Sequence, residues 1–187
     1  MSDVVFDKLA CYADVEGNIP LSSMTTLRIG GNAKYVIYPE TLLALTQIIE
    51  ILKAYEVPDK VFGKCSNSLC SDNDYEGAII RLDRSLDSFY FEDNYCVANA
   101  GCSIIQLSYE AMKNGLSGLE FANGIPGTVG GVTYMNAGAY KSNMAEVIRK
   151  VLVLHDGIME WFDAEQCEFG YRSSVFHLHP DWIILAI

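Results

Sequence analysis

The stretch from Gly118 to Tyr140 constrains this chain more than any other, because six glycines and a proline fall within it. An amphipathic helix is not expected there, since each interior glycine costs about 1 kcal/mol relative to alanine. A flexible linker does not fit either: Ile125, Val129, Val132, Tyr134 and Met135 are too apolar for a solvated coil. Two readings of an ordered loop remain. In one, bare backbone lies against something flat or anionic, with Gly127-Thr128-Val129-Gly130-Gly131 offering N–H groups in a concave array or at a helix start, where phosphate is favoured. In the other, two backbone segments cross tightly inside a core.

At 187 residues, 50% of them hydrophobic, the chain can build one large domain or two small ones. It contains no run of eighteen apolar residues, so no membrane span is expected. The start, Met1 to Lys8, lacks a basic region followed by an apolar one, so no secretory signal is expected. A formal charge of −11 argues against a nucleic-acid surface. An anionic ligand stays open, because backbone amides supply positive potential locally. Cys11, Cys65, Cys70, Cys96, Cys102 and Cys167 form no CxxC and have no partnering histidine cluster. The expectation is reduced, mostly buried thiols in a cytoplasmic protein, without a zinc site.

In chain order, residues 3–13 read as a short helix with Val5, Leu9 and Tyr12 on one face, ended by Gly17, Asn18 and Pro20. A loop, Thr25 to Ala33, enters a strand at 34–38. Thr41 caps a helix to about Tyr55, with Leu42, Leu45, Ile49 and Leu52 as its apolar face. Lys60-Val61-Phe62 is a strand, so strand, helix and strand make a βαβ unit with parallel strands. That strand runs into Gly63-Lys64-Cys65-Ser66-Asn67-Ser68-Leu69, at the end of the sheet where ligands bind. A P-loop is excluded by Pro58 and Cys65 at positions that need Gly and Ser or Thr, and the chain holds no GxGxxG. Strands at 78–82, 87–92 and 95–100 are expected as an antiparallel meander. Ser103 caps a helix over 104–114 that Gly115 stops. After the glycine stretch come a strand at 147–154, an Asp156-Gly157 hairpin into 158–162, and a last strand at 182–187. The expected boundary lies near residue 72, between a small βαβ lobe (1–72) and an antiparallel α+β lobe (73–187).

Four segments, in this order, resemble one family: Thr25 to Gly31; Gly63, Ser66, Asn67 and Leu69; Gly124 to Gly131 with Asn136 to Tyr140; and Gly170 to Ser174. The family is that of UDP-N-acetylenolpyruvoylglucosamine reductase, a flavoenzyme of peptidoglycan synthesis and so of cell-wall biogenesis, cell shape and division. The resemblance implies an α+β, two-lobed FAD fold of the vanillyl-alcohol-oxidase-like (PCMH-type) superfamily, its lobes clamping the cofactor. It implies that Gly63, Ser66 and Asn67 face the FAD phosphates, that Ile125, Pro126, Gly127, Thr128, Gly130 and Gly131 line the flavin, and that Asn136, Ala137, Gly138 and Ala139 complete the cradle. Small residues there let amides approach phosphate and leave room for a flat ring. In the family NADPH reduces the flavin, which passes hydride to the enolpyruvyl double bond of a UDP-sugar. Arg172 matches the arginine expected to pair with the substrate carboxylate and stabilise an enolate-like intermediate. Read without the resemblance, Arg172 is an exposed loop arginine near Glu168. Tyr171 either contacts substrate or packs.

Two positions depart from the family pattern. Cys65 stands where the phosphate loop usually has glycine, and Lys141 where a glycine often follows Ala-Tyr. The family's protonating serine and its assisting glutamate belong to a substrate-binding domain for which this sequence shows no counterpart. The expectation is therefore an FAD-binding portion that lacks that domain, is inactive alone, and self-associates through the surface the domain would cover. A non-catalytic flavin-binding module is the rival, separated by whether the source gene continues past Ile187. A covalent-flavin oxidase fits less well, since those enzymes anchor flavin through a histidine in the phosphate loop.

Overall fold

Asp3 accepts the backbone N–H groups of Val5 (3.1 Å) and Phe6 (3.2 Å), which caps α1 (Val4–Leu9). The same carboxylate accepts the hydroxyl of buried Tyr35 at 2.6 Å, a bond that holds the Asp3 carboxyl below its ordinary range. The computed structural model describes residues 3–187. The helix is shorter than expected, because the chain turns after Leu9 and runs out as β1 (Ala13–Pro20). Gly17, Asn18 and Pro20, which read as breakers, are tolerated because β1 is an edge strand, with Asn18 in a left-handed conformation (φ 54°).

β1 pairs antiparallel with β2 (Asn32–Pro39). Thr41 caps α2 (Leu42–Ala54) by accepting the Ala44 N–H at 3.0 Å, and Leu45, Ile48 and Leu52 form its buried face. β3 (Asp59–Phe62) and β4 (Tyr75–Arg81) complete a sheet of order β1-β2-β4-β3. β2 and β3 are parallel as the βαβ reading required, yet β4 lies between them and pairs parallel with both. This corrects the expected meander. Ala78, Ile79 and Ile80 are all buried, an unbroken apolar run that suits an interior parallel strand and not an alternating antiparallel one. Because β4 joins the first sheet, the chain divides at Leu86/Asp87 and not near residue 72.

The second unit carries the β5 (Phe89–Glu92) and β6 (Tyr95–Ala98) hairpin and α3 (Ile104–Lys113), after which Gly115 turns with φ 71°. Within the glycine stretch lies α4 (Val129–Tyr134), a six-residue helix that realises the helix start offered as one alternative for residues 127–131. Then come the two-residue ladder of β7 (Gly138–Ala139) and β8 (Ser142–Asn143), β9 (Lys150–His155), β10 (Ile158–Asp163) and β11 (Ile183–Ala186). The last three form an antiparallel sheet of order β10-β9-β11. Asp156 and Gly157 join β9 to β10 with φ of 48° and 76°, the left-handed pair that a two-residue hairpin needs. The α+β class holds. No helix among the described residues is long and apolar enough to cross a membrane.

Burial pushes the thiols of Cys96 and Cys167 up to about 11 and that of Cys102 to about 12, from an ordinary 9.0. Raised values mean that stability is intact below pH 9 and declines above it, as the unfolded chain ionises first. The urea midpoint should therefore be flat from neutral pH to about 9 and then fall steadily towards pH 11. A flat profile to pH 11 would contradict this burial.

Candidate functional site

In the first unit, β3 ends in the Gly63–Leu69 loop. Cys65 is buried and left-handed, with φ 53°. Its thiol donates to the Gly63 carbonyl at 3.4 Å, and its own carbonyl accepts the Thr26 N–H at 3.5 Å, which ties this loop to residues 25–31. The latter segment is pinned in turn: Thr25 Oγ1 donates to the Ile29 carbonyl at 3.0 Å and Gly31 N–H to the Ser71 carbonyl at 2.9 Å. A Cβ on Gly31 would lie 2.5 Å from the Asn73 carbonyl oxygen, so no side chain fits there. Burial pushes the Cys65 thiol up, and the charge of nearby Arg81 opposes that rise. Arg81 is itself a fork on Asp83, with bonds of 3.0 and 2.6 Å. Ser66 is half-buried and Asn67 exposed. Among the described residues, the backbone N–H groups of Ser66, Asn67 and Ser68 donate to no protein acceptor. Such a run of unspent donors suits a phosphate.

The glycine stretch of the second unit behaves differently. At the start of α4, Val129 N–H donates to Cys102 O (2.8 Å), Gly130 N–H to Ala100 O (2.8 Å) and Gly131 N–H to Thr128 Oγ1 (3.2 Å). These donors are already used, so the expected free array at this helix start is absent. Tight crossing accounts for two glycines: a Cβ on Gly130 would sit 2.7 Å from Ala100 Cβ and on Gly138 2.3 Å from Ser142 O, whereas on Gly127 it would meet only the Val132 side chain, with Cγ1 at 2.9 Å. Two others are open: Gly124 has nothing within 4 Å, and exposed Gly131 meets only Thr128 Oγ1 at 3.2 Å. Both readings of the stretch are therefore right, at different glycines. Of the remaining positions, Pro126 is exposed, Ile125, Ala137 and Ala139 are half-buried, and Thr128 and Asn136 are buried.

Arg172 sits at the tip of a turn closed by two bonds between Gly170 and Ser173 (3.0 and 3.3 Å). The tip residues contrast: Tyr171 is 94% exposed, while Arg172 is left-handed with φ 53°. A non-glycine residue held in that region is strained and invites a functional reading. The turn is stitched to the end of the glycine stretch. Arg172 Nη2 donates to Gly138 O (2.7 Å), Asn136 Nδ2 to Gly170 O (2.8 Å), and Ser174 Oγ to Tyr134 O (2.6 Å). Two motifs far apart in sequence are thus one surface. Ser174 stood in the fourth motif without a role of its own, and Arg81 and Asp83 stood in none; only partners brought near by folding reveal what they hold. Tyr140, 90% exposed, lines a cleft of about 300 Å³ with Gly118, Glu120, Phe121 and Ser142, room for a small group but not for a whole dinucleotide.

Both departures from the family pattern occupy left-handed backbone, Cys65 as described and Lys141 with φ 70° in the β7–β8 turn. Lys141 is exposed, so Lys141→Gly removes strain without losing packing and should stabilise by about 0.5–1 kcal/mol. Cys65→Gly also relieves strain but discards a buried thiol, so its net effect should stay within about 0.5 kcal/mol. Urea denaturation of both variants checks this; equal stabilisation would mean that the Cys65 side chain contributes nothing.

A sequence profile described as FAD binding domain matches residues 33–162. The UDP-N-acetylenolpyruvoylglucosamine reductase of Anoxybacillus flavithermus is 42% identical over 173 residues, 92% of this chain and 57% of that protein. The crystal structure of the corresponding reductase from Thermus caldophilus superposes with a TM-score of 0.79 at 35% identity, over 94% of this chain and 61% of that one. A solvent-stable cholesterol oxidase shares the fold alone, with a TM-score of 0.66 at 10% identity over 93% of this chain and 37% of that one. The chain belongs to the FAD binding domain family. Its particular likeness within that fold is to the UDP-N-acetylenolpyruvoylglucosamine reductases, and it spans little more than half the length of the curated relatives it matches.

Proposed function

We propose that this chain is the FAD-binding portion of an enzyme that uses NADPH to reduce UDP-N-acetylglucosamine enolpyruvate to UDP-N-acetylmuramate in peptidoglycan synthesis, working in the cytoplasm. The observation that carries the reading is the stitched surface, where the arginine of the reductase-like motif lies against the small-residue segment of an FAD-family chain.

The residues present fit FAD. Ser66 and Asn67 supply unspent backbone donors of the first unit, and with Gly63 they would hold its phosphates. In the second unit Ile125, Pro126, Gly127, Gly131, Ala137, Gly138 and Ala139 are at least partly open and would line the flavin. Thr128, Gly130 and Asn136 shape that surface from within. When bound, FAD supplies the hydride chemistry. Arg172 pairs with the enolpyruvyl carboxylate and offsets the negative charge that grows on the substrate, and its unused N–H groups suit a bidentate partner. Tyr171, beside it and exposed, offers a ring face to the substrate. Proton delivery falls to the part of the relatives that this chain does not match, which also holds most of the sugar-nucleotide surface; the face that part would cover favours self-association.

The test mixes the 187-residue chain with FAD, NADPH and UDP-N-acetylglucosamine enolpyruvate. Bound flavin should appear in the visible spectrum, while product forms at least about 10²-fold more slowly than with a full-length relative, because proton transfer and orientation are missing. No flavin uptake would sink the cofactor assignment, and product at a relative's rate would mean that a residue within this chain supplies the proton.

A further inference from the structure

The Asn136 side chain is used at both ends. Its Nδ2–H donates to the Gly170 carbonyl at 2.8 Å, and its Oδ1 accepts the Ala145 N–H at 2.9 Å. The residue is 6% exposed and left-handed, with φ 39°, a backbone that asparagine tolerates better than most residues. Gly170 opens the turn that lifts Tyr171 and Arg172, and its carbonyl also accepts the Ser173 N–H at 3.3 Å. Ala145 follows the β7–β8 ladder, whose first residue, Gly138, gives Arg172 its acceptor at 2.7 Å. The Ala145 N–H is shared with Asn143 Oδ1 at 3.1 Å, so one amide ties the turn that carries the guanidinium to the segment that follows the hairpin carrying its acceptor.

We propose that Asn136 is a positioning residue, which sets the place of the Arg172 guanidinium through Gly170 and the β7–β8 hairpin and makes no contact of its own with the cofactor. The proposal rests on reading Arg172 as the substrate-facing group. The chemistry demands an amide. Aspartate keeps the acceptor for Ala145 but sets a carboxylate against the Gly170 carbonyl, and glycine keeps the left-handed backbone but loses both bonds. Arg172 has many rotamers and few anchors, so its aim depends on that carbonyl staying in place. Ser174, bonded to Tyr134 at 2.6 Å, secures the far side of the turn, so the loss of Asn136 should loosen the tip without releasing the loop.

The experiment uses the FAD-loaded chain and its Asn136→Asp and Asn136→Gly variants. Phenylglyoxal labelling of Arg172 is measured by peptide mass spectrometry as a ratio to labelling of exposed Arg149. Both variants should raise that ratio about 2- to 10-fold at pH 9, the population change that one lost hydrogen bond allows. As the pH falls towards about 6, the buried carboxyl introduced by Asn136→Asp takes up a proton and again donates to Gly170. The ratio should then return towards the parent value in Asn136→Asp but not in Asn136→Gly. A merely structural lesion gives no such pH return. Should Asn136→Asp fail to fold, the Asn136→Gly ratio still decides. An unchanged ratio in both variants overturns the proposal, and so does a tenfold loss of FAD affinity without a labelling change, which would make Asn136 a cofactor contact. Failure of the Arg172 assignment itself would show only in the substrate half-reaction and would leave these labelling results intact.

Discussion

Gly131→Leu is expected to weaken FAD binding by at least about tenfold while the second unit stays folded; Gly130→Val, one residue away, is expected to disrupt the unit itself. The two glycines are neighbours in α4 with opposite surroundings. A side chain on Gly131 stands on the exposed face of α4, its Cβ meeting only the Thr128 hydroxyl at 3.2 Å, which must give by a few tenths of an ångström, and in a helix glycine is a poor residue. Its cost therefore falls on whatever lies against that face. A side chain on Gly130 collides with Ala100, its Cβ at 2.7 Å and its carbonyl oxygen at 3.2 Å. The Gly130 N–H also donates to that same carbonyl at 2.8 Å, so relief by a backbone shift breaks a buried bond. The expected loss is at the upper end of about 1–3 kcal/mol, a large share of the roughly 5–15 kcal/mol that holds a domain folded. Flavin fluorescence quenching and urea denaturation, run on both variants, check the pair. If Gly131→Leu keeps parental FAD affinity, flavin does not lie on this face. If Gly130→Val keeps parental stability, the contact with Ala100 is not tight.

Arg172→Ala, placed in a chain extended to the length of its relatives, should slow the half-reaction that consumes the enolpyruvyl substrate by about 10²–10³. The half-reaction that consumes NADPH should change far less. The split follows from position. The guanidinium donates to the Gly138 carbonyl at 2.7 Å and lies over the Tyr171 ring, 5.7 Å from its centroid, and no ion pair engages it among the described residues, so its charge is available to a substrate carboxylate. The left-handed φ of 53° sets Arg172 at the tip of its turn, beside the Gly138 carbonyl. Stopped-flow absorbance of the two half-reactions is the measurement. Equal slowing of both would point to a damaged flavin surface, since Arg172→Ala also removes the bond to Gly138.

The segments with a strong local signal were legible before any coordinates. Thr41 with the apolar positions that follow it specified α2, and Asp156-Gly157 specified a hairpin, because caps and left-handed turns are decided by residues a few positions apart. The order of four motifs was enough to point to the FAD family. β1 was missed, and β4, expected as a strand at 78–82, was given the wrong partners, for a different reason. Gly17, Asn18 and Pro20 carry no strand preference, and their strand exists because β2 offers an edge; the choice of β4 as the interior strand depends on two partners that the local pattern does not name.

The candidate site divides along the same line. The sequence by itself determined which residues are chemically able to act: a loop of small and polar residues at a strand end, bare backbone from Gly124 to Gly138, and one arginine in a reductase-like motif. Only the tertiary structure decided what each of them faces. It spent the first amides of α4 on Ala100, Cys102 and Thr128, closed Gly130 and Gly138, left Gly131 open, and put the Asn136 amide to use as a brace for Arg172. The physical reason is that a glycine or an amide carries its capacity in the residue, whereas which partner uses that capacity is fixed by neighbours that the chain brings back from more than thirty positions away.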